Sequence, residues 1–421
     1  MANISLLSTT TRVESPYIQV DIGDYTFGVY NKSSKTKVDK NGLKYTEVST
    51  TFPNFMRSLE VTKINGAVNS YTIQMIYGIT AGDDPNLLEK VFSSVQKSRR
   101  LTISYGDYCT PTFIYKKEST VIKKITSSVD MKSSSISYTL ECVSDALNLT
   151  AGVHNFPARY AKPSDVIKEL VYNSSYGILE VFYGMRNKSL VLSKGLIAGD
   201  DREVQIQAKT SINIFDYLNY LVTCMSSVTD SPNSVIKSLY AFTVYDDITD
   251  AFGGPYFKVV KVDRDIKPNN SLDMYEIDIG YPSQNIVTDF SIEDNQTYSI
   301  LYDYSQKVEQ ADYVYRIDND GKVNTVYSPT LTNSKEYLKT TESDKNWWTK
   351  MTQMTLRVNV TIKGLLRPAI LMNYVKLNVY FYGRKHISSG IYIITKQRDV
   401  VDSSGYRTTL SLTRVSGVDE I

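Results

Sequence analysis

Apolar and polar side chains alternate along this chain in long, regular runs. Leu356, Val358, Val360 and Ile362 interleave with Thr355, Arg357, Asn359 and Thr361. Val375, Leu377, Val379 and Phe381 do the same against Lys376, Asn378 and Tyr380. Successive side chains on a strand point to opposite faces. Each run therefore predicts a strand with one face on a core and the other in water or on a partner. Gly390–Lys396 and Tyr406–Arg414 predict two further strands, joined by a turn at Asp402-Ser403-Ser404-Gly405.

The same rhythm runs through residues 1–150. "IQVDIGDYTFGVY" alternates from Ile18, a strand centres on Ile73 and Met75, and "LTISYG", "PTFIYKK" and "SISYTLECVS" follow. In the last of these, Ile136, Tyr138, Leu140 and Cys142 alternate with Ser137, Thr139 and Glu141. One stretch, "DDPNLLEKVFSSVQKSRR", changes period and predicts a helix. Asp84 is placed to cap it, Pro85 fits its first turn, and Leu87, Leu88, Val91, Phe92 and Val95 form one apolar stripe. Arg99 and Arg100 suit the negative end of its dipole. A small barrel or sandwich crossed by one helix is the expected arrangement.

Residues 151–290 differ in kind. A helix capped by Ser164 carries Val166, Ile167, Leu170 and Val171 on one face and ends toward Gly177. A second, after Ser211, carries Ile214, Phe215, Leu218, Leu221, Val222 and Met225 at helical spacing. Strands "SLYAFTVYDD" and "YFKVVKVD" follow it. From about Thr288 to Lys345 the sequence is polar, rich in Asp and Tyr and weakly periodic, with a hairpin turning at Asp320-Gly321. The fold class expected is mainly β with a mixed α/β middle. Residues 1–150 form one β unit, 151–290 the middle, with strands available to the second β unit, and 291–421 a polar connection leading into that unit.

Composition narrows the function. A net charge of +2 gives no general bias toward nucleic acid, and the local clusters (Lys97, Arg99, Arg100; Lys116, Lys117; Lys123, Lys124) read as solvated element ends. Cys109, Cys142 and Cys224 lie far apart without a CxxC pair, which predicts neither a zinc site nor a disulfide framework. Cys142 falls on an apolar strand face and reads as a small core residue. "MANISLLSTTTRVES" lacks the plan of a secretion signal, and no apolar run approaches the roughly 20 residues that span a bilayer. Folding in a reducing cytoplasm, without membrane insertion, is expected. The 33 tyrosines against two histidines suit packed and contacting β surface better than acid–base chemistry.

Each candidate for chemistry has a plainer explanation. "AGDD" occurs at Ala81–Asp84 and Ala198–Asp201, the first explained as a helix cap and the second as a turn, without the further carboxylates a magnesium site needs. "DNDGKV" at Asp318–Val323 lacks the closing glutamate of a calcium loop. Gly253-Gly254 has no lysine at phosphate-loop spacing. His386 reads as a loop histidine at a strand edge and His154 as a linker residue, neither with a nucleophile or an orienting acid in place. The 45 acidic residues allow many carboxylate pairs, but none is singled out for glycoside hydrolysis. No catalytic residue, metal ligand or cofactor site is predicted. The adjacent Trp347 and Trp348 would face opposite ways on a strand, one into the core and the other toward a contact.

The C-terminal pattern resembles the closing barrel of bacteriophage baseplate hub proteins. That family carries a "G-x-Y-x-V" lead followed by a "T-x-L-x-L-x-R" strand. Here Gly390, Tyr392 and Ile394 match the first motif, with Ile for Val, and Thr408, Leu410, Leu412 and Arg414 match the second. "SINIFDYLNYLVTCMSS" followed by "AFTVYDD" is similar to the family's central domain, and "FPNFMRSLEVTKINGAVNSYTIQMIYGITAGDDP" to its first barrel. The resemblance implies two tube-like β-barrels per chain around the mixed middle, and a homotrimer of pseudo-sixfold outline. Its implied partners are the tail tube protein, the central spike protein and other baseplate proteins, with DNA passing through the channel unbound. The free faces of the long strands would then line the channel and meet neighbouring subunits. A virion carbohydrate- or receptor-binding β protein is the alternative reading, and a peptidoglycan hydrolase a more distant one.

Overall fold

The structure, a computed structural model, describes residues 4–5, 16–23, 25–28, 35–38, 44–47, 50–52, 55–78, 86, 91, 100–107, 115–173, 203–228, 236–246, 256–263, 275–280, 287–294, 313–317, 323–327, 356–363, 371, 373–386 and 388–416. The chain is mainly β, as the alternation predicts, with a small mixed region between two β regions.

The main strands of the N-terminal region are β1 (Pro16–Ile22), β2 (Tyr25–Gly28), β3 (Met56–Ile64), β4 (Ser70–Gly78), β5 (Arg100–Asp107), β6 (Tyr115–Asp130) and β7 (Ser135–Val143). They pair antiparallel in the order β2-β1-β5-β6-β7-β4-β3. The sheet curls until β1 lies against β3. Ile18, Val20, Leu59, Ile73, Met75, Ile103, Leu140 and Cys142 fill its concave side. The first alternating run is two strands rather than one, because Gly23 turns the chain at φ +57°. At the end of β2, a Cβ on Gly28 (φ +109°) would stand 2.0 Å from the Ile18 carbonyl oxygen, so only glycine allows β1 and β2 to pair there. The helix expected over Asp84–Arg100 lies outside the described residues apart from Asn86, the helical and fully buried Val91, and Arg100, which opens β5.

In the middle region, helices α1 (Pro163–Tyr172) and α2 (Ile214–Cys224) pack their apolar stripes on strands β8 (Ile236–Tyr245) and β9 (Tyr256–Asp263) and on two short ladders. Both helices form, but their caps differ from expectation. Pro163 occupies the first helical position, where its fixed φ suits helix entry, so Ser164 sits inside α1 and is buried. The helix stops at Asn173, short of Gly177. Asn213 caps α2, its side-chain oxygen accepting from the Asp216 amide at 2.8 Å. Tyr217 joins the buried stripe and stacks on Phe156 at 3.7 Å. His154 belongs to a short strand paired with Ile212, not to a linker.

The C-terminal region orders six strands as β10-β13-β14-β15-β12-β11: β10 (Tyr275–Ile279), β11 (Val287–Asp294), β12 (Leu356–Lys363), β13 (Tyr374–Phe381), β14 (Gly390–Asp402) and β15 (Gly405–Ser416). Strand β11 rises out of sequence expected to be weakly periodic. Its ladder to β12 fixes it, with Val287 and Phe290 packed against the core while Thr288, Asp289 and Ser291 face outward. The expected hairpin pairs Ile317 with Val323, and its Asp320-Gly321 tip lies outside the described residues. Phe381 leaves its apolar row at the end of β13 and is half exposed. Among the described residues, no helix is long and apolar enough to cross a membrane.

Strand β14 serves both regions. Its first part, Gly390–Ile393, pairs with Tyr374–Leu377 of β13. Beyond a register shift at Thr395, Lys396–Val401 pairs along the same edge with Leu59–Ile64 of β3. The Asn65 amide donates to the Thr395 carbonyl at 2.9 Å and the Ile394 amide to the Asn373 carbonyl at 3.1 Å, so two strands meet at one point of a third. The β14–β15 hairpin follows both. Ile391, Tyr392, Leu410 and Leu412 lie in the C-terminal core, and Val401 and Tyr406 in the N-terminal one.

Candidate functional site

The place where the three regions meet is polar and buried. Three strands carry polar side chains onto the inward face there. The inward row of β3 reads Leu59, Val61, Lys63; that of β6 carries Glu118; that of β14 reads Gln397, Asp399, Val401. On each strand the side-chain period of two places these polar groups inside by parity. Asp246, directly after β8, closes the cluster from the middle region and is fully buried.

Lys63 pairs with Glu118, whose side chain is 1% exposed. Tyr105 donates to the same Glu118 oxygen at 3.3 Å. Burial alone would lower the Lys63 ammonium. Glu118, supported by Asp399 and Asp246, outweighs it and holds the group above its ordinary range. Asp399 accepts from Thr408 at 2.6 Å and Gln397 at 2.7 Å, which ties β14 to β15 at the level of the N-terminal core. Desolvation, then the Asp399 charge, pushes the Tyr406 phenol well above its usual value, so it stays neutral.

Asp246 is the most heavily bonded member. One carboxylate oxygen accepts from Asn69 Nδ2 and from Tyr71 OH, both at 2.8 Å; the other accepts from Ser144 Oγ at 2.5 Å. Its carbonyl receives the Ser119 amide at 3.1 Å. Asn69 Nδ2 also reaches the Val244 carbonyl at 3.0 Å, and Ser144, which caps a short 3-10 helix, donates its amide to the Asn69 carbonyl at 3.0 Å. A few residues away, Asn219 of α2 donates to the Gly66 carbonyl at 2.9 Å. The turn between β3 and β4 is thus held from two sides by the middle region. Buried polar groups so closely satisfied fix one relative placement of the parts they join.

Among the described residues, no three His, Cys, Asp or Glu side chains are placed to hold a metal ion. His386 hydrogen-bonds Ser388 at 2.7 Å and meets the Phe381 ring edge-on, away from the cluster. The residues that carry the sequence motif separate into two places. Tyr392, Ile394, Leu410 and Leu412 are buried in the C-terminal core; Gly390 opens β14, and Arg414 is half-buried near its end of β15. Thr408 alone stands in the polar cluster. Trp347 and Trp348, Cys109, both "AGDD" stretches and Gly253-Gly254 lie outside the described residues. Sequence reasoning missed Lys63, Asn69, Tyr71, Glu118, Ser144, Asp246 and Asp399. Parity alone marked two of them: Lys63 continues the apolar row of β3, and Asp399 that of Val401.

The free faces of the long strands differ. On β12, Arg357, Asn359 and Lys363 are exposed, as alternation predicts. On β14 both faces are covered from Ile391 to Ile394, because the strand lies between two layers of its own chain. That stretch offers no face to a channel or a partner.

No protein-family model and no curated protein matches the chain. Solved structures are similar to it at low identity, among them three tail or secretion-system proteins. A tail protein from Neisseria meningitidis is 9% identical with a TM-score of 0.49, covering 95% of this chain and 97% of its own. The 43 kDa tail protein of prophage MuSo2 from Shewanella oneidensis is 12% identical with a TM-score of 0.47, over the same shares. An Escherichia coli component of the type VI secretion system, described as structurally similar to bacteriophage T4 tail proteins gp27 and gp5, is 10% identical with a TM-score of 0.45, covering 88% of this chain and 77% of its own.

Proposed function

We propose that this chain is a structural baseplate hub protein of a phage tail, with no turnover of its own. Three copies close into a ring around the genome-delivery channel, and the two β regions of each copy give the ring a pseudo-sixfold outline. One side of the ring meets the sixfold tail tube protein and the other the threefold central spike protein, with other baseplate proteins at the rim. The ring is assembled in the host cytoplasm and works in the virion tail.

The observation that carries this reading is the β14–β15 hairpin, which pairs with strands of both β regions and makes them one body. Three copies of a chain with two such coupled units present six units to a sixfold neighbour while keeping threefold symmetry toward a spike. The motif resemblance in β14 and β15 supports the same assignment. Light scattering at several concentrations, followed by electron microscopy, tests it. The expected result is a trimer, or trimerisation that rises with concentration, and rings with six lobes. A strict monomer that forms no rings, even with tube and spike proteins added, would count against it.

One observation favours the receptor-binding alternative. Tyr382 is fully exposed at φ +50°, beside the half-exposed Phe381 and the exposed Arg384 and Lys385. Two accessible rings suit stacking on sugar faces. Loss of glycan binding in Tyr382→Ala, with oligomer mass unchanged, would favour this second reading.

A further inference from the structure

Asp246 is a carboxylate surrounded by hydrogen-bond donors and, among the described residues, paired with no cation of its own. The titratable and polar groups facing it come from every packed element. They are Lys63 of β3, Asn69 of the β3–β4 turn, Tyr71 of β4, Glu118 of β6 and Ser144 of the cap, with Tyr105 of β5, Asp399 of β14 and Tyr406 of β15 one layer further out around Lys63, Tyr71 and Glu118. Three carboxylates, Glu118, Asp399 and Asp246, act on the Lys63 ammonium, and Lys63 is committed to Glu118. The second Glu118 oxygen has no hydrogen-bond partner among the described residues, so fully ionised the cluster holds excess negative charge away from water. A single proton relieves most of that cost. The carboxylate that would hold it, Asp246, also docks the middle region, through Asn69, Tyr71, Ser119 and Ser144, on the N-terminal sheet.

We infer that this seam is an acid-tightened fastening: in mild acid, Asp246 keeps a proton while the middle region is docked on the N-terminal sheet, and loses it when the two separate. Burial raises the Asp246 carboxyl from 3.8 to about 6, against the pull of the Ser144, Asn69 and Tyr71 bonds and with a further push from Glu118. Separated, the carboxyl meets water and returns to the ordinary range. Because the docked value is the raised one, the stabilisation is complete below about 3.8, is lost as pH rises through about 6, and is level above that. With these two values the undocked fraction grows about tenfold between pH 5 and pH 8. The inference is independent of the hub reading, since it concerns one chain.

Hydrogen exchange on the full chain reads it directly. The Ser119 amide, bonded across the seam to the Asp246 carbonyl, reports its opening. After correction for the intrinsic pH dependence of exchange, it should be about tenfold better protected at pH 5 than at pH 8. Asp246→Asn removes the titrating group and should abolish the difference. Tyr71→Phe removes one donor to the carboxylate and should move the midpoint to higher pH. Equal protection at both pH values in the native chain would overturn the inference, and so would an unchanged slope in Asp246→Asn. If that variant does not fold, Tyr71→Phe decides: a midpoint that stays or falls overturns the inference, and a rise supports it.

Discussion

The two halves of β14 show opposite ways of burying one strand. From Ile391 to Ile394, four consecutive apolar side chains are covered on both faces, as in a strand sandwiched between layers. From Gln397 to Val401 the strand alternates again, yet its inward row holds Gln397 and Asp399, both buried and both hydrogen-bonded. The first half gains by apolar area and tolerates small slips of packing. The second half gains less but admits only one register, since a slip would strand a carboxylate without Thr408. Apolar packing supplies cohesion to the C-terminal region, and polar pairing supplies the placement of that region against the N-terminal one.

Breaking the polar half should cost most when it leaves a charge alone. Glu118→Ala, which leaves Lys63 buried without its partner, should lower stability by about 3–5 kcal/mol in urea unfolding. Replacing the pair together, Lys63→Met with Glu118→Leu, should cost far less and could raise stability by about 1–4 kcal/mol. A double variant as unstable as the single one would show that the pair is not what the seam depends on. Leu412→Ala in the apolar half should cost roughly 2–5 kcal/mol, through lost burial and a residual cavity. Thr408→Val, which leaves Asp399 short of one donor, should cost about 1–3 kcal/mol. The smallest effect belongs to the exposed edge of the same strand. Arg398 grips Glu60 through two bonds at 2.7 and 3.0 Å, but in water, so Arg398→Ala should cost under about 1 kcal/mol and the difference should shrink further in salt.

Legibility in the sequence follows the same division. Val358, Val360 and Ile362 announce their strand and its core face, and the stripe on α2 announces its packing, because burial there depends only on local period. Helix ends were less legible. Pro163 takes the first helical position and so leaves Ser164 inside α1, and the cap of α2 falls to Asn213 through its bond from the Asp216 amide. The seam was hardest to read. Lys63, Glu118 and Asp399 look like solvated side chains until distant partners are in place, and Asp246 finds Asn69 and Tyr71 from 177 and 175 positions away. The covered second face of Ile391–Ile394 was hidden for the same reason, since the layer that covers it is assembled from distant sequence.

Glu60 and Arg398 lie 338 residues apart, and they mark the ladder that completes the N-terminal sheet. During synthesis on the ribosome the partner of β3 therefore emerges late, on the order of tens of seconds after β3 itself at ordinary elongation rates. Throughout that interval the edge from Leu59 to Ile64 is a template without its own strand, open to any extended segment in the cell. Lys63, a charge on the inward row, makes that edge a poor match for an apolar intruder until Glu118 and then Asp399 arrive to receive it. A residue that holds the finished seam in register also guards the unfinished one against premature pairing.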